Sequence, residues 1–226
     1  MTITVIIPTL NEAPIIAQTI QHTAALGFDQ IIVVDGGSRD DTRVLSEQLG
    51  LAQVHDSEPG RGRQLNAGAQ NSHQDVFLFL HADTRLPNNA RGSIESALAD
   101  PAIIGGRFDV RFDSLSAWAS VISSFMNLRS RLTGISTGDQ AIFVRRDIFE
   151  QLGGFSDIPL MEDIEFSSRL KRAGTTAALR ETVTTSFRRW EQQGPLKTIL
   201  LMWTIRFLYW MGVNPHRLKN FYATIR

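Results

Sequence analysis

Four short apolar runs, each ending at a polar tip and each followed by a helical pattern, divide the first hundred residues and limit what this chain can become. Residues 3–7 stop at Pro8-Thr9, and residues 31–34 stop at Asp35-Gly36-Gly37. Residues 52–55 form a shorter, weaker run, and residues 76–80 stop at His81-Ala82-Asp83-Thr84. An unbroken apolar run bounded by polar residues is the pattern of a strand covered on both faces. The intervening segments read as helices. Ile15, Ile16, Thr19, Ile20 and Thr23 share one face, with Asn11 as the expected cap, Pro14 in the first turn and Gly27 as the stop. Val44, Leu45 and Leu49 mark a second helix, Leu65, Ala67, Gly68 and Ala69 a third with a small-residue face, and residues 88–99 a fourth. Strand and helix alternating at this spacing imply right-handed crossovers and a parallel sheet. Ligands of such sheets lie beyond the carboxyl ends of the strands, so the polar tips are where chemistry is expected.

After Pro101 the pattern changes. Residues 103–112 alternate Phe108, Val110 and Phe112 with Arg107, Asp109 and Arg111, which predicts a half-buried antiparallel strand. Residues 115–132 read as a helix with Trp118, Val121, Ile122, Phe125 and Leu128 on one side. A loop over 134–138, a strand over 140–144 and a short helix over 147–152 precede the break at Gly153-Gly154-Phe155. An amphipathic helix over 162–172, a β-rich stretch over 177–187 and a helix over 195–211 complete the pattern. No internal repeat or low-complexity linker appears, so the expectation is one α/β domain, with a mostly parallel central sheet flanked by helices and a mixed sheet in the second half.

Composition narrows the partners. Lys plus Arg and Asp plus Glu are each 23, so no overall field favours nucleic acid. The absence of cysteine excludes disulfides, thiol catalysis and cysteine-held zinc. The chain enters a strand-like run at once, without the basic segment and apolar core of a signal peptide, and carries no run of about 20 apolar residues. A cytoplasmic location is expected.

Each tip has a structural and a chemical reading. Asp35 can accept from a base imide or a ribose hydroxyl, or cap its own loop through neighbouring amides. Asp40 reads as a helix cap. The stretch after Asp35 lacks the GxGxxG of dinucleotide-binding turns, and Gly60-Arg61-Gly62-Arg63 lacks the Lys-Ser/Thr of a Walker A loop, which leaves Arg61 as a phosphate partner. Asp83 can ligate a metal, or with Thr84 cap the helix that follows. Glu162, Asp163 and Glu165 suit a helix's first turn through the dipole alone, and at most one of them needs to be catalytic. Arg188-Arg189-Trp190 suits a phosphate clamp beside a stacking ring, or equally a packed tryptophan with solvated arginines.

Taken in order, PTLNEA, VVDGGSRDDT, GRGRQLNAGA, FLHADT, GDQAIFVRR, LGGF and MEDIEFSSRL resemble the family 2 inverting glycosyltransferases of the nucleotide-diphospho-sugar transferase (GT-A) fold, over roughly residues 3–190. The resemblance implies a nucleotide-binding half over 1–100, an acceptor and catalytic half over 101–190, and an apolar C-terminal helix and tail over 191–226. It implies that Pro8, Thr9, Glu12 and Asp35 line the nucleoside pocket and that Arg61 lies near the base or phosphates. Asp83 matches the last acid of the family's Asp-x-Asp, which holds a divalent Mn2+ or Mg2+ on the donor diphosphate. Asp163 matches the general base of the Glu-Asp pair, and Arg189-Trp190 the end of Gln-x-x-Arg-Trp. Two positions depart from the pattern. His81 replaces the first Asp of Asp-x-Asp, a residue acceptable to manganese and poor for magnesium. Ser186 replaces the Gln, which favours transfer of a single sugar over processive synthesis.

Residues 196–213 are strongly apolar, with Lys197 and Arg206 as their charges, and Arg217, Lys219 and Arg226 follow. Rings beside cations suit a membrane interface, here the inner face, and with it a lipid-linked acceptor. The same pattern suits a helix packed on the core or a homodimer contact. Two other functions compete with glycosyl transfer on these residues. A nucleotidyltransferase would want a glycine-rich basic loop after the first strand, which PTLNEA does not supply. A non-catalytic sugar-nucleotide binder is the reading that His81 keeps open.

Overall fold

The computed structural model describes residues 1–219, so Arg226 and the rest of the tail lie outside the described residues. In chain order the elements are β1 (Ile3–Thr9), α1 (Ile16–Ala25), β2 (Gln30–Asp35), α2 (Thr42–Gln48), β3 (Gln53–Asp56), α3 (Arg61–Gln70), β4 (Val76–Phe79), β5 (Thr84–Arg85) and α4 (Ala90–Leu98). The second half adds β6 (Ile103–Phe112), α5 (Ala117–Thr133), a single 3-10 turn (Gly138–Gln140), β7 (Phe143–Arg145), α6 (Arg146–Gln151), α7 (Glu162–Ala173), β8 (Thr175–Thr185), α8 (Arg188–Gln193) and α9 (Pro195–Trp210). The eight strands join one sheet in the order β3-β2-β1-β4-β7-β6-β8-β5.

The first four long strands are parallel, as the βα alternation requires, and their register aligns Thr9 with Asp35 and Asp35 with Asp56. The tips of β1, β2 and β3 therefore share one edge. Both faces of β1, β2 and β4 are covered, while β3 lies at the sheet edge with no buried residue. Val5, Ile7, Val33 and Leu78 join a cluster with Ile16, Ile20 and Ile94 of the helices on one side. Ile6, Val34, Phe77 and Phe79 join Leu65, Phe149, Phe155 and Phe166 on the other. Within this second cluster Phe79 meets Phe155 edge-on, with centroids 4.8 Å apart, a favoured geometry for aromatic pairs.

Helix α3 lies close to the sheet because Gly68 offers no side chain: a Cβ there would fall 2.4 Å from Ile6 Cγ2. Gly68→Val should cost about 1–3 kcal/mol through overpacking, against a gain of a few tenths in helix propensity. A lower urea midpoint at unchanged slope is the expected result, and an unchanged midpoint would contradict the close approach.

Several local expectations are corrected. The first helix begins at Ile16 and not near Asn11; Asn11 takes φ 56° and its Oδ1 accepts from the Arg39 amide at 2.8 Å. Asp83 and Thr84 do not cap a helix, since Thr84–Arg85 pairs antiparallel with β8 and α4 starts at Ala90. Strand β6 is antiparallel to β7 but parallel to β8. The connection between β6 and β8 includes α5, β7, α6 and α7, long enough for a parallel crossover. Its polar face is solvated only at Arg111: Arg107 is buried and paired with Asp109, which Arg131 of α5 also reaches at 2.6 Å. Residues 140–144 begin as the 3-10 turn, so β7 is short. On α5 Ile122 is buried, whereas Trp118, Val121, Phe125 and Leu128 are exposed.

Helix α9 is neither wholly covered nor wholly free. Leu201 and Ile205 pack with Met161 and Leu218, while Leu200, Trp203, Phe207 and Trp210 face outward. Among the described residues no helix is long and apolar enough to cross a membrane.

Candidate active site

A cleft of about 960 Å³ opens beyond the strand tips and is walled by α5, α8 and α9. Pro8, Glu12, Arg61, Asp83, Asp163, Arg189 and Trp190 all line it, although they come from both halves of the chain. Thr9 and Asp35 do not; they are buried at the tips of β1 and β2. The Asp35 carboxylate accepts from the amides of Ser38 at 2.7 Å and Gly37 at 3.0 Å, and from Thr9 Oγ1 at 3.2 Å. It thus fixes the loop that follows β2. Gln64, which sequence reasoning missed, ties α3 to both tips by donating to the carbonyls of Thr9 at 2.7 Å and Val34 at 2.9 Å.

The acids at the start of α7 separate into distinct roles. Glu165 is tied to Arg169 at 2.6 Å and accepts from Ser156 at 2.8 Å. Glu162 is buried and pairs with Arg61 at 3.3 Å. Burial and the neighbouring Asp163 push the Glu162 carboxyl up, against the pull of Arg61. Asp163 lines the cleft, with Oδ2 accepting from the Gly138 amide and Oδ1 from the Ile164 amide, each at 2.7 Å. These bonds fix its orientation and leave each oxygen a second lone pair.

Arg61 sits among four carboxylates. Burial would lower its guanidinium, yet Glu162, Asp163, Asp139 and Asp83 together raise it above its ordinary value. It stays charged at any working pH. From the other wall, Arg188 reaches Glu12 at 3.7 Å. Trp190 stacks on Phe187, with centroids 6.2 Å apart and planes at 10°, so it lines the cleft as part of a packed aromatic cluster.

Asp139 is a cleft residue that sequence reasoning did not single out. Burial opposes its charge, but a hydrogen bond with His81 and the charges of His81, Arg61 and Arg189 bring the carboxyl down to about 2. The His81 contact is made by Nδ1 at 3.1 Å. The ring's other nitrogen lies against Gly138, where a Cβ would fall 2.3 Å away. His81 is thereby turned toward Asp139. Gly138→Ala should expel the ring and break that contact, which the imidazole nitrogen–proton NMR spectrum would register as a changed His81 signal; an unchanged signal would contradict this packing.

Non-glycine residues with positive φ gather here as well. Asn11 (φ 56°), Ala141 (φ 47°) and Met161 (φ 71°) each lie within two residues of a cleft carboxylate, Glu12, Asp139 or Glu162. Such backbone is costly and persists where the surroundings over-determine it, commonly at functional sites.

The donor set for a divalent cation is thin but suitable. The Asp83 carboxylate takes one hydrogen bond among the described residues, from Thr84 Oγ1 at 3.4 Å, and lines the cleft. Glu12 is close enough that, after burial, Asp83 is the next cause raising its carboxyl, with Arg188 opposing. No cluster of three or more metal-ligating side chains forms among the described residues. One or two carboxylates completed by substrate phosphates and water is a normal arrangement for magnesium, so Asp83 fits such an ion as one member of a shell the protein does not complete.

Comparison with known proteins agrees with this architecture. Among curated proteins, the chain is 25% identical over 190 residues to glycosyltransferase AglE of Haloferax volcanii, covering 76% of this chain and 62% of that protein. It is 27% identical over 202 residues to the probable glycosyltransferase YdaM of Bacillus subtilis, covering 76% and 47%. The chain therefore spans less than two thirds of these relatives. Among solved structures, the mannosyltransferase PcManGT from Pyrobaculum calidifontis, in complex with GDP-Man and Mn2+, superposes with TM-score 0.60 at 22% identity, covering 81% of this chain and 56% of that one. Glucosyl-3-phosphoglycerate synthase from Mycobacterium tuberculosis, in complex with Mn2+, UDP and glucosyl-3-phosphoglycerate, gives TM-score 0.60 at 21% identity, covering 81% and 70%. These likenesses identify the fold as that of the GT-A glycosyltransferases. The family model described as glycosyl transferase family 2 matches residues 4–153, and the chain belongs to that family.

Proposed function

We propose that the protein transfers one sugar from a nucleoside-diphosphate donor to an acceptor hydroxyl, in a single displacement that inverts the anomeric carbon. The observation that carries this reading is one cleft lined by Asp83 from the strand-tip half and Asp163 from the second half, with Arg61, Arg188 and Arg189 also lining it. In this reading Pro8 and Glu12 border the nucleoside, and Thr9 and Asp35 shape its pocket by holding the loop after β2. Arg61 and Arg189 face the diphosphate, beside Trp190. Asp163 takes the proton of the acceptor hydroxyl, whose oxygen bonds to the anomeric carbon as the carbon–oxygen bond to the diphosphate breaks. The electron pair leaves with the nucleoside diphosphate. Mn2+ or Mg2+ held by Asp83, the diphosphate and water would supply charge neutralisation on that leaving group. The solved structures of similar fold that carry Mn2+ with GDP-Man or UDP lend support to such a donor and cofactor. Ser186, in place of the Gln of polymer synthases, supports single addition.

Calorimetric titration of UDP, GDP and dTDP, each with and without Mn2+, tests the donor site. Tighter binding of at least one nucleotide in the presence of Mn2+ is expected. Failure of all three to bind the folded chain would remove the reading.

A further inference from the structure

Two arginines on the walls of the cleft are not used by the donor reading. Arg129 of α5 and Arg206 of α9 both line it. The Nε and Nη2 of Arg129 and the Nε of Arg206 are buried without a hydrogen-bond partner among the described residues. Burial, together with the charge of Arg206, lowers the Arg129 guanidinium to about 10, with Asp163 opposing. Burial lowers Arg206 as well, against the opposing pull of Asp163 and Asp139. Both remain charged near neutral pH. A buried guanidinium is ordinarily paired, because leaving it unpaired costs folding free energy.

Their position points to the acceptor. Arg129 and Arg206 feel Asp163 and Asp139, as Arg61 does, but Arg61 and Arg188 are in addition paired, with Glu162 and Glu12. The two arginines thus share the cleft with the proposed base and bring to it guanidinium nitrogens that have no partner among the described residues. Two guanidinium charges match a phosphomonoester, about −1.5 to −2 at neutral pH, better than a single carboxylate, and the planar guanidinium fork suits phosphate oxygens.

We propose that Arg129 and Arg206 form an oxyanion subsite that holds a phosphoryl group carried by the acceptor, beside the hydroxyl that Asp163 deprotonates. This proposal rests on the glycosyl-transfer reading for the role of the bound molecule, and on the arginines themselves for the anion.

The test uses the full chain, with Mn2+ and its nucleoside diphosphate, as wild type and as the Arg129→Gln/Arg206→Gln double variant. Glycerol 3-phosphate is titrated as the soluble probe with glycerol as control, and vesicles with and without farnesyl phosphate are the membrane-borne arm. Wild type should bind a phosphomonoester in at least one arm and not glycerol; the arm that binds identifies a free or a lipid-borne phosphate. The double variant should weaken that binding by about tenfold or more, with nucleoside-diphosphate affinity changed by less than about twofold. Its Tm should hold or rise, since the charges behind the buried, unpartnered nitrogens of Arg129 and Arg206 are removed. Phosphomonoester binding absent from wild type, or equal in the variant, would overturn the proposal. So would an equal loss of nucleotide affinity, which would assign the arginines to the donor, or a fall in Tm, which would mark them as structural. A wild type that binds phosphomonoester through both arginines but no nucleoside diphosphate would count against glycosyl transfer and for the anion site.

Discussion

Replacing Asp163 by Asn is expected to lower kcat by about 10²–10⁴-fold, the contribution of a positioned general base, with nucleoside-diphosphate affinity close to wild type. The substitution preserves shape, and the Asn carbonyl can still accept from the Gly138 amide that Asp163 Oδ2 engages at 2.7 Å. What is lost is the capacity to take a proton, together with the bond that Oδ1 accepts from the Ile164 amide, since the Asn Nδ2 only donates. A fall in donor affinity as large as the fall in kcat would show that the residue serves binding, and undiminished turnover would remove it from the chemistry.

Asp83→Ala carries the second large effect. If Asp83 anchors the cation on the diphosphate, its removal forfeits several kcal/mol of charge stabilisation, so turnover should fall by at least about 10²-fold. The decisive readout is the metal dependence of nucleotide binding. Wild type should bind more tightly with Mn2+, and the variant should lose most of that gain while binding metal-free nucleotide about as well as wild type. Asp83 and Glu12 repel, and that repulsion helps raise the Glu12 carboxyl; removing Asp83 should therefore not weaken the apo fold. A variant with the full metal-dependent gain would place the cation elsewhere.

The parallel half of the sheet was legible because β1, β2 and β4 are covered on both faces and its helices show a helical period. Ile3, Val5 and Ile7 face one cluster and Ile6 the other, so the run had to be apolar throughout. The mixed half was less legible because strand direction is set by the connection, and alternation in residues 103–112 says nothing about whether β8 returns parallel. The first helix start failed because its expected cap is engaged elsewhere: Asn11 accepts from the Arg39 amide of the loop after β2. Of the cleft residues, Asp83 and Asp163 could be read from ordered motifs. Asp139 could not, because its significance comes from His81, 58 positions away. Arg206 left a signal, a lone guanidinium inside an apolar helix; Arg129, among other basic residues at the end of α5, left none.

The most direct test of inverting glycosyl transfer is the anomeric configuration of sugar released from its donor. The full chain would be incubated with Mn2+ and a panel of UDP-, GDP- and dTDP-sugars, with water as the acceptor, and the first-formed sugar read by proton NMR before mutarotation. Manganese-dependent release of nucleoside diphosphate from at least one donor, with the sugar of inverted configuration and the release abolished in Asp163→Asn, is the expected result. Release with retained configuration, or no release from any donor by a folded chain, would contradict it.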